Sequence, residues 1–332
     1  MTLTGFVLLY IAATIAIGVI AATRVKNTID FALAGRSLPL PMVITATFAT
    51  WFGSETILGL PGRFIESGIA GVIEEPFGSG MALILVGTFF AHKLYKQNIL
   101  TLGDYYRDRY GRSVELLCSV AIVISYLGWV GAQVTALGLV INLITEGAVS
   151  MTTGMVIGAA VVLAYTMVGG MWSVAMTDFV QMIVIVVGLV AILWFATDLA
   201  GGMDKVVDYA RGRDLFHAFP EPTTTGWLFW ISAAMTMMIG SIPQQDVFQR
   251  VMSAKNLPTA VAGPILGGSF YILFAFVPMF IVVAAILVMP DAAEKMLSED
   301  PQQLLPTLVR DYMPMWLRVV FFGAVLSADH RF

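Results

Sequence analysis

The sequence predicts an all-α protein that crosses a membrane several times. Of its 332 residues, 58% are hydrophobic and only 12% are charged, and the mean hydropathy is +0.85. An ordinary soluble domain has about 25% charged residues. Apolar runs of roughly 18 residues or more, the length that a helix needs to cross a bilayer, alternate with polar connections. The sequence shows no stretch that would form a soluble domain of appreciable size.

Charge and cysteine content narrow the functional class. The net charge of −4 argues neither for nor against nucleic acid, and no nucleic-acid partner is predicted. A single cysteine, Cys118, excludes an intrachain disulfide and argues against a cysteine-based metal site. The sequence contains no recognisable nucleophile–base pair, zinc site or phosphate-binding loop, so we predict neither an enzyme nor an organic cofactor.

The apolar runs can be placed in order along the chain. The first run, residues 5–22, lacks a basic flank before it and a small-residue cleavage site after it, so we interpret it as a membrane span. The apolar run 147–177 is predicted to turn at Gly169-Gly170, and residues 198–225 and the acidic stretch 291–313 are predicted loops. Eight complete spans and one partial span are predicted, at residues 5–22, 38–60, 71–91, 116–145, 147–177, 178–197, 227–245, within 256–290, and from about residue 315.

Lysine and arginine counts predict the orientation. With the N-terminus outside, the predicted cytoplasmic loops and Arg331 together hold 11 of the 18 basic residues, and the outer loops hold 7. Cytoplasmic loops of membrane proteins carry the excess of Lys and Arg. We therefore predict a multi-pass protein of the cell inner membrane with an outside N-terminus.

The segment 46–62 organises the chain. Its flanks are apolar, but its middle reads Gly53-Ser54-Glu55-Thr56. A helix that unwinds at mid-membrane uses freed carbonyls and short side chains to hold an ion or a solute. A charge at the centre of a membrane helix costs at least about 2.5–3.5 kcal/mol, so Glu55 suggests a function. The alternative is a protonated Glu55 that is hydrogen-bonded inside a helix bundle.

Glu55 and Asp178 are the two carboxylates that the sequence places well inside apolar segments. No Lys, Arg or His is predicted at comparable depth, and a buried carboxylate must be protonated or paired. The partner would therefore be a cation or a proton from outside, which favours cation-coupled transport. The alternative for Asp178 is the N-cap of a span that begins there.

A second break is predicted where Gly240, Ser241 and Pro243 interrupt the seventh span. Two interrupted spans at corresponding places in two halves indicate a transporter site. In this scheme residues 4–23 form an extra helix, 38–198 a first five-helix repeat and 225–332 a partial second repeat. The alternative is a plain helix end followed by proline.

Several polar and aromatic side chains are candidates for a solute site. Trp51, Phe52, Tyr126 and Trp129 could line a cavity, although aromatic residues in a membrane core more often serve packing. Gln133 is a polar residue in mid-span. Residues 101–112 read as an amphipathic cytoplasmic segment with a structural role.

From about residue 4 to residue 328 the chain resembles the sodium/solute symporter family, which includes bacterial proline and sugar symporters. The third of four matching blocks, which begins Tyr165-Thr166-Met167-Val168-Gly169-Gly170, is the most specific. The blocks are residues 49–62, 101–111, 165–181 and 245–250.

The resemblance implies a leucine-transporter-type fold of two inverted five-helix repeats, with sodium as the coupling ion for uptake of a solute. It implies sodium ligands at the carbonyls of Ala49, Phe52 and Ala328, and Asp178 along the inward sodium path. Solute-binding positions are expected at Trp51, Ser54, Glu55, Thr56, Gln133, Gly240, Ser241 and Gln244. The solute expected is small, polar and organic, possibly similar to an amino acid.

The chain departs from the family pattern after Ala328. Relatives continue with a hydrophobic pair and two hydroxyl ligands of sodium, whereas this sequence reads Asp329-His330-Arg331-Phe332. We therefore expect a second repeat that is incomplete and a C-terminal truncation, with no sodium-driven uptake by these 332 residues alone. A membrane sensory or input module that keeps the transporter fold, or a non-transporting fragment, is the alternative to a symporter.

Overall fold

The computed structural model describes residues 3–328, apart from the side chains of residues 3, 4, 7, 8, 11, 162, 164–166, 168, 327 and 328. Within this part every regular element is helical, and the one β feature is an isolated bridge between Leu38 and Ala254. The predicted all-α class is therefore confirmed. The α-helices are α1 (Leu3–Ala22), α2 (Thr28–Leu33), α3 (Leu40–Trp51), α4 (Leu60–Ser67), α5 (Ser79–Leu85), α6 (Ala91–Gln97), α7 (Leu102–Tyr110), α8 (Arg112–Ile144), α9 (Met151–Leu199), α10 (Met203–Gly212), α11 (Thr224–Gly240), α12 (Gln245–Met252), α13 (Leu257–Phe274), α14 (Phe276–Val288), α15 (Pro290–Glu299), α16 (Leu304–Tyr312) and α17 (Met315–Ala328).

Four helical stretches of the described chain are long and apolar enough to cross a membrane. A bent pair, α11 with α12, makes a fifth candidate. The four stretches are Ile69–Gln97, Arg112–Ile144, Gly169–Leu199 and Leu257–Val288. They support the predicted multi-pass protein, while the total of eight complete spans stays a prediction.

The break predicted in the second span is present. α3 ends at Trp51, and Phe52 leaves the helical conformation with φ −81° and ψ 80°. The chain resumes as a π-helical segment, Glu55–Gly59, which leads into α4. The predicted end of this span at residue 60 is wrong, because Pro61 lies at the beginning of α4, where a proline is tolerated. The helix therefore continues to Ser67.

α9 bends at Gly170, as the Gly169-Gly170 pair predicts. Gly170 has φ 51° and ψ −156°, and the helix resumes directly after it. The predicted start of the next span at Asp178 is therefore wrong. Asp178 lies about two turns inside the helix and is fully buried, so the alternative interpretation as an N-cap is also wrong.

The two stretches predicted as loops contain helices. Residues 198–225 include α10, and residues 291–313 include α15 and α16. Six consecutive residues of α16, from Leu304 to Val309, are buried, and α16 packs against α14. The prediction of an acidic loop was wrong here because the surrounding charges conceal this short apolar run.

Close helix packing holds the broken span in place. α13 packs against both α3 and α5. A Cβ atom built on Gly268 would lie 2.5 Å from the Gly80 carbonyl oxygen, and one on Gly267 would lie 3.0 Å from that of Ile44. Small residues allow membrane helices to approach this closely. The contact positions α13 beside the break in α3.

Candidate functional site

The second predicted break also forms a bent helix pair. α11 ends at Gly240, the chain turns through residues 241–244, and α12 begins at Gln245 at an angle of 44° to α11. The Gln245 side-chain oxygen accepts a hydrogen bond from the backbone N–H of Leu102 at 2.9 Å, which ties α12 to the start of α7. The interruption of this span is therefore confirmed.

Two cavities adjoin the break in α3. The larger has a volume of about 450 Å³, and we call it the Arg250 cavity. Its size is typical of small-molecule sites. The helices around it include α3 at its C-terminal end, α9 at its bend, α8 and α12. The lining residues used below are Ala49, Trp51, Tyr126, Trp129, Gln133, Asp246 and Arg250.

The second cavity has a volume of about 300 Å³, and we call it the Arg63 cavity. Three carboxylates and one guanidinium line it, which gives it a net negative charge that attracts cations. These groups belong to Glu55, Glu66, Asp300 and Arg63.

Ser54 and Gln133 lie between the two cavities. The Ser54 hydroxyl donates a hydrogen bond to Gln133 Oε1 at 2.9 Å, and both side chains are buried. Gln133 lines both cavities, whereas Ser54 lines only the Arg63 cavity. A Cβ atom on Gly53 would lie 3.5 Å from the same Gln133 oxygen, so the break brings the α3 backbone close to this amide. The contact lies at the boundary between the two cavities.

Glu55 has a cationic partner that the sequence analysis did not anticipate. Arg63 Nη2 lies 3.1 Å from Glu55 Oε1, and the side chains are 41% and 40% exposed, respectively. The expectation of no nearby cation is wrong because the helix continues through α4 and brings Arg63 back to the same face. The exposure also contradicts a Glu55 buried in the bundle. A pair this exposed contributes about 0–1 kcal/mol to stability.

Glu75 is the buried carboxyl group that lies beside the broken helix. The Tyr271 hydroxyl donates a hydrogen bond to Glu75 Oε1. Thr56 Oγ1 lies 2.9 Å from the same oxygen, 2.9 Å from the Trp51 carbonyl oxygen and 3.1 Å from the Tyr271 hydroxyl. Glu75 is 7% exposed, while Thr56 and Tyr271 are fully buried. The cluster joins the break in α3 to α13.

A further polar cluster lies on the wall of the Arg250 cavity. The Tyr126 hydroxyl donates to Asp246 Oδ1 at 2.7 Å and accepts from the backbone N–H of Asp246 at 3.1 Å. Arg250 Nη1 donates to the carbonyl oxygen of Asp246 at 3.1 Å. Tyr126 thus fastens α8 to the first turn of α12.

The predicted solute residues fall in different places. Trp51 lines the Arg250 cavity, Glu55 lines the Arg63 cavity, and Ser54 and Gln133 lie between them. Thr56 lines neither cavity and contacts Glu75 instead.

The predicted residues of the second break lie away from both cavities. Gly240, Ser241 and Gln244 belong to the end of α11 and the turn after it, and they line neither cavity. Gln245, the next residue, lines the Arg250 cavity.

The predicted sodium residues lie on three helices. Ala49 is buried near the end of α3, and the buried Phe52 follows that helix. Asp178 lies in the second half of α9, which packs against α3. Ala328 is the last residue of α17, and its side chain, like residues 329–332, falls outside the described part of the chain.

Sequence reasoning missed Glu75, Tyr271, Asp246 and Arg250. Glu74-Glu75-Pro76 looks like a helix boundary, and only the packing of α13 shows that Glu75 points into the core. Tyr271 is one aromatic residue in an apolar run. The signal for Asp246 and Arg250 was their i,i+4 spacing directly after the second break.

Comparison with known proteins is consistent with this architecture. The model of the sodium:solute symporter family matches residues 31–328. The high-affinity choline transporter 1 of Caenorhabditis elegans is 28% identical over 316 residues, which cover 91% of this chain and 53% of the transporter. The human high affinity choline transporter 1 is 28% identical over 333 residues, which cover 94% and 56%. Sodium/glucose cotransporter 4 of Danio rerio is 26% identical over 362 residues, which cover 97% and 54%.

The chain thus spans about half the length of the curated relatives it matches. A solved structure of a Na⁺-coupled sialic acid symporter, in a substrate-bound outward-open state, superimposes with a TM-score of 0.84 at 18% identity. It covers 100% of this chain and 70% of that one. At this identity the similarity concerns the fold alone, and it confirms the leucine-transporter-type fold expected from the sequence.

Proposed function

The chain belongs to the sodium:solute symporter family, and from this premise we propose that it serves sodium-coupled symport of a small polar organic solute. The observation that carries the proposal is the Ser54–Gln133 contact at the break in α3, which lies between two cavities. Alternating access requires a site at a discontinuous helix that opens to one side at a time. A solute held between Ser54, Gln133 and Trp51 would meet this requirement.

Sodium is the coupled cation in this proposal. Carbonyl oxygens replace the hydration shell of an ion most readily where a helix is interrupted. Ala49 and Phe52 at the end of α3, together with Ala328, are the proposed carbonyl ligands. Asp178 is proposed to attract sodium along its path to the inside. The acidic lining of the Arg63 cavity supports entry of a cation from the other side.

Uptake into vesicles tests the proposed function. Because no sodium-driven uptake is expected of residues 1–332 alone, the assay uses a version extended past Ala328 with the family's two hydroxyl residues and remaining helices. This version is purified and reconstituted, and accumulation of radiolabelled solutes is measured with an inward sodium gradient and with an equal potassium gradient. We expect accumulation only with sodium. Equal accumulation with both cations, or none with either across choline, sugar and amino-acid probes, contradicts sodium-coupled symport.

We further propose the domain organisation and the orientation. Residues 4–23 form an extra helix, residues 38–198 one repeat, and residues 225–332 part of an inverted second repeat, in the inner membrane with the N-terminus outside. The two broken helices, α3 with α4 and α11 with α12, support this scheme because each lies near the beginning of its repeat.

Cysteine labelling is expected to report this orientation. In a Cys118→Ala background, Ala200→Cys should react with a membrane-impermeant maleimide from outside, and Gln97→Cys only from inside. Gln97 is exposed at the end of α6, and Ala200 follows α9. The reverse pattern would contradict the outside N-terminus.

Gln133→Ala is expected to open a path between the cavities. The change removes the amide oxygen that accepts the hydrogen bond of the Ser54 hydroxyl, so these two side chains no longer meet between the cavities. The reporter is Thr50→Cys, in the Cys118→Ala background, because Thr50 lines the Arg250 cavity only. We expect its labelling from the Arg63 side to rise at least severalfold with Gln133→Ala.

Thr135→Ala is the matched control for this experiment. Thr135 lies on α8 two residues after Gln133, is exposed, and bonds only within its own helix, to the Gly131 carbonyl oxygen. It should leave the labelling unchanged. Unchanged labelling in Gln133→Ala as well would show that the contact does not separate the cavities.

A further inference from the structure

Asp246 and Arg250 place two opposite charges on one wall of the Arg250 cavity. They are one turn apart on α12, a spacing at which Asp and Arg commonly form an ion pair. In the described part of the chain neither forms one. Among the described residues, Arg250 donates a hydrogen bond to the backbone oxygen of Asp246, and the Asp246 carboxylate accepts from Tyr126. The two side chains therefore do not form a direct ion pair with each other.

The Arg250 guanidinium is deeply buried for a charged group. The residue is 5% exposed, and its Nε–H has no acceptor among the described residues. Burial of a charge that lacks an ion-pair partner is unfavourable, and an anion in contact with it offsets that cost. A guanidinium presents its N–H groups as a planar fork that matches the two oxygens of a carboxylate.

We propose that Arg250 binds the carboxylate of an organic solute in the Arg250 cavity. Asp246, on the same wall, faces the positively charged nitrogen of the same solute, so the cavity selects zwitterions. The volume of about 450 Å³ accommodates a small solute of this class with some water. The inference rests on the proposed function, since it specifies the chemical class of the solute, but its test measures binding and not transport.

Equilibrium binding to the purified full chain tests this inference. The probes are two pairs that differ only where a carboxylate replaces a hydroxymethyl group: glycine betaine with choline, and L-proline with L-prolinol. Trp51 and Trp129 line the cavity, so intrinsic fluorescence, checked by calorimetry, reports occupancy. We expect at least one carboxylate probe to bind at least tenfold more tightly than its alcohol partner.

Variants separate a carboxylate-binding role of Arg250 from a structural role. Arg250→Gln should lower the affinity for the carboxylate probe about tenfold or more and leave that for the alcohol unchanged. Arg250→Lys keeps the charge without the fork and should retain part of the preference. Lys255→Gln is the matched control, because Lys255 is exposed just after α12 and lines neither cavity.

The contrary outcomes are equally specific. If no carboxylate probe binds, if both members of each pair bind equally, or if Arg250→Gln and Arg250→Lys weaken both members alike, Arg250 fastens α12 and the proposal is wrong. Binding with carboxylate selectivity but without sodium-driven uptake would contradict the proposed symport and leave this inference standing. Uptake without carboxylate selectivity would do the reverse.

Discussion

Replacing Gly170 with alanine is expected to lower the free energy of unfolding by about 3 kcal/mol or more. The backbone at Gly170 has φ 51° and ψ −156°, a conformation that residues with a Cβ atom rarely adopt. A Cβ atom there would also lie 2.5 Å from the carbonyl oxygen of Phe31 in α2. Since that neighbour is backbone, relief requires α2 or the two halves of α9 to move.

The bend at Gly170 also shapes the Arg250 cavity, because both Gly170 and Phe31 line it. We therefore expect Gly170→Ala to weaken ligand binding in that cavity as well as stability. Unfolding by SDS titration and the apparent melting temperature in detergent measure the first effect. Gly131→Ala is the control, because a Cβ on this α8 residue meets no atom within 4 Å. Equal stability of the two variants would show that the bend does not depend on glycine.

Tyr271→Phe is expected to destabilise the protein by about 1–2 kcal/mol. Tyr271 is fully buried and donates to Glu75, so the substitution removes one of two hydroxyl groups in contact with that oxygen. A buried carboxyl oxygen that loses a donor cannot recover a bond to water. Because the cluster joins α13 to the break in α3, the loss should also weaken solute binding near Ser54.

A double-mutant cycle isolates this interaction. In a Glu75→Leu background, Tyr271→Phe should cost less than about 1 kcal/mol, because no carboxyl group remains to be satisfied and Thr56 still lies near position 271. Tyr209→Phe is the control, since the Tyr209 hydroxyl accepts only from Arg213 at an exposed site. The same loss from Tyr271→Phe in both backgrounds would exclude Glu75 as the reason.

Local sequence patterns were sufficient to predict the fold class of the protein and the positions at which its helices are interrupted. Apolar runs predicted the helices, Gly53 predicted the break after α3, and Gly169-Gly170 predicted the bend in α9. In each case the information lies within a few residues, because apolar length governs membrane crossing and the absence of a Cβ permits the backbone angles. The same local reasoning failed at Asp178 and at residues 291–313, where charged residues inside or beside helices looked like boundaries.

The partners of the polar groups depended on the tertiary structure. Ser54 meets Gln133 across 79 residues of sequence, Tyr271 meets Glu75 across 196, and Tyr126 meets Asp246 across 120. Even the ion pair between Glu55 and Arg63 forms only because the helix continues past Pro61. By itself, the sequence determined that the chain is helical and apolar and that two of its apolar stretches are interrupted, because composition and breaks are local properties. Only the packing of the helices decided which side chains share a cavity. Contacts between distant segments depend on the angles at which helices cross and on close approaches, such as that of Gly268 to Gly80, and no local sequence pattern encodes these.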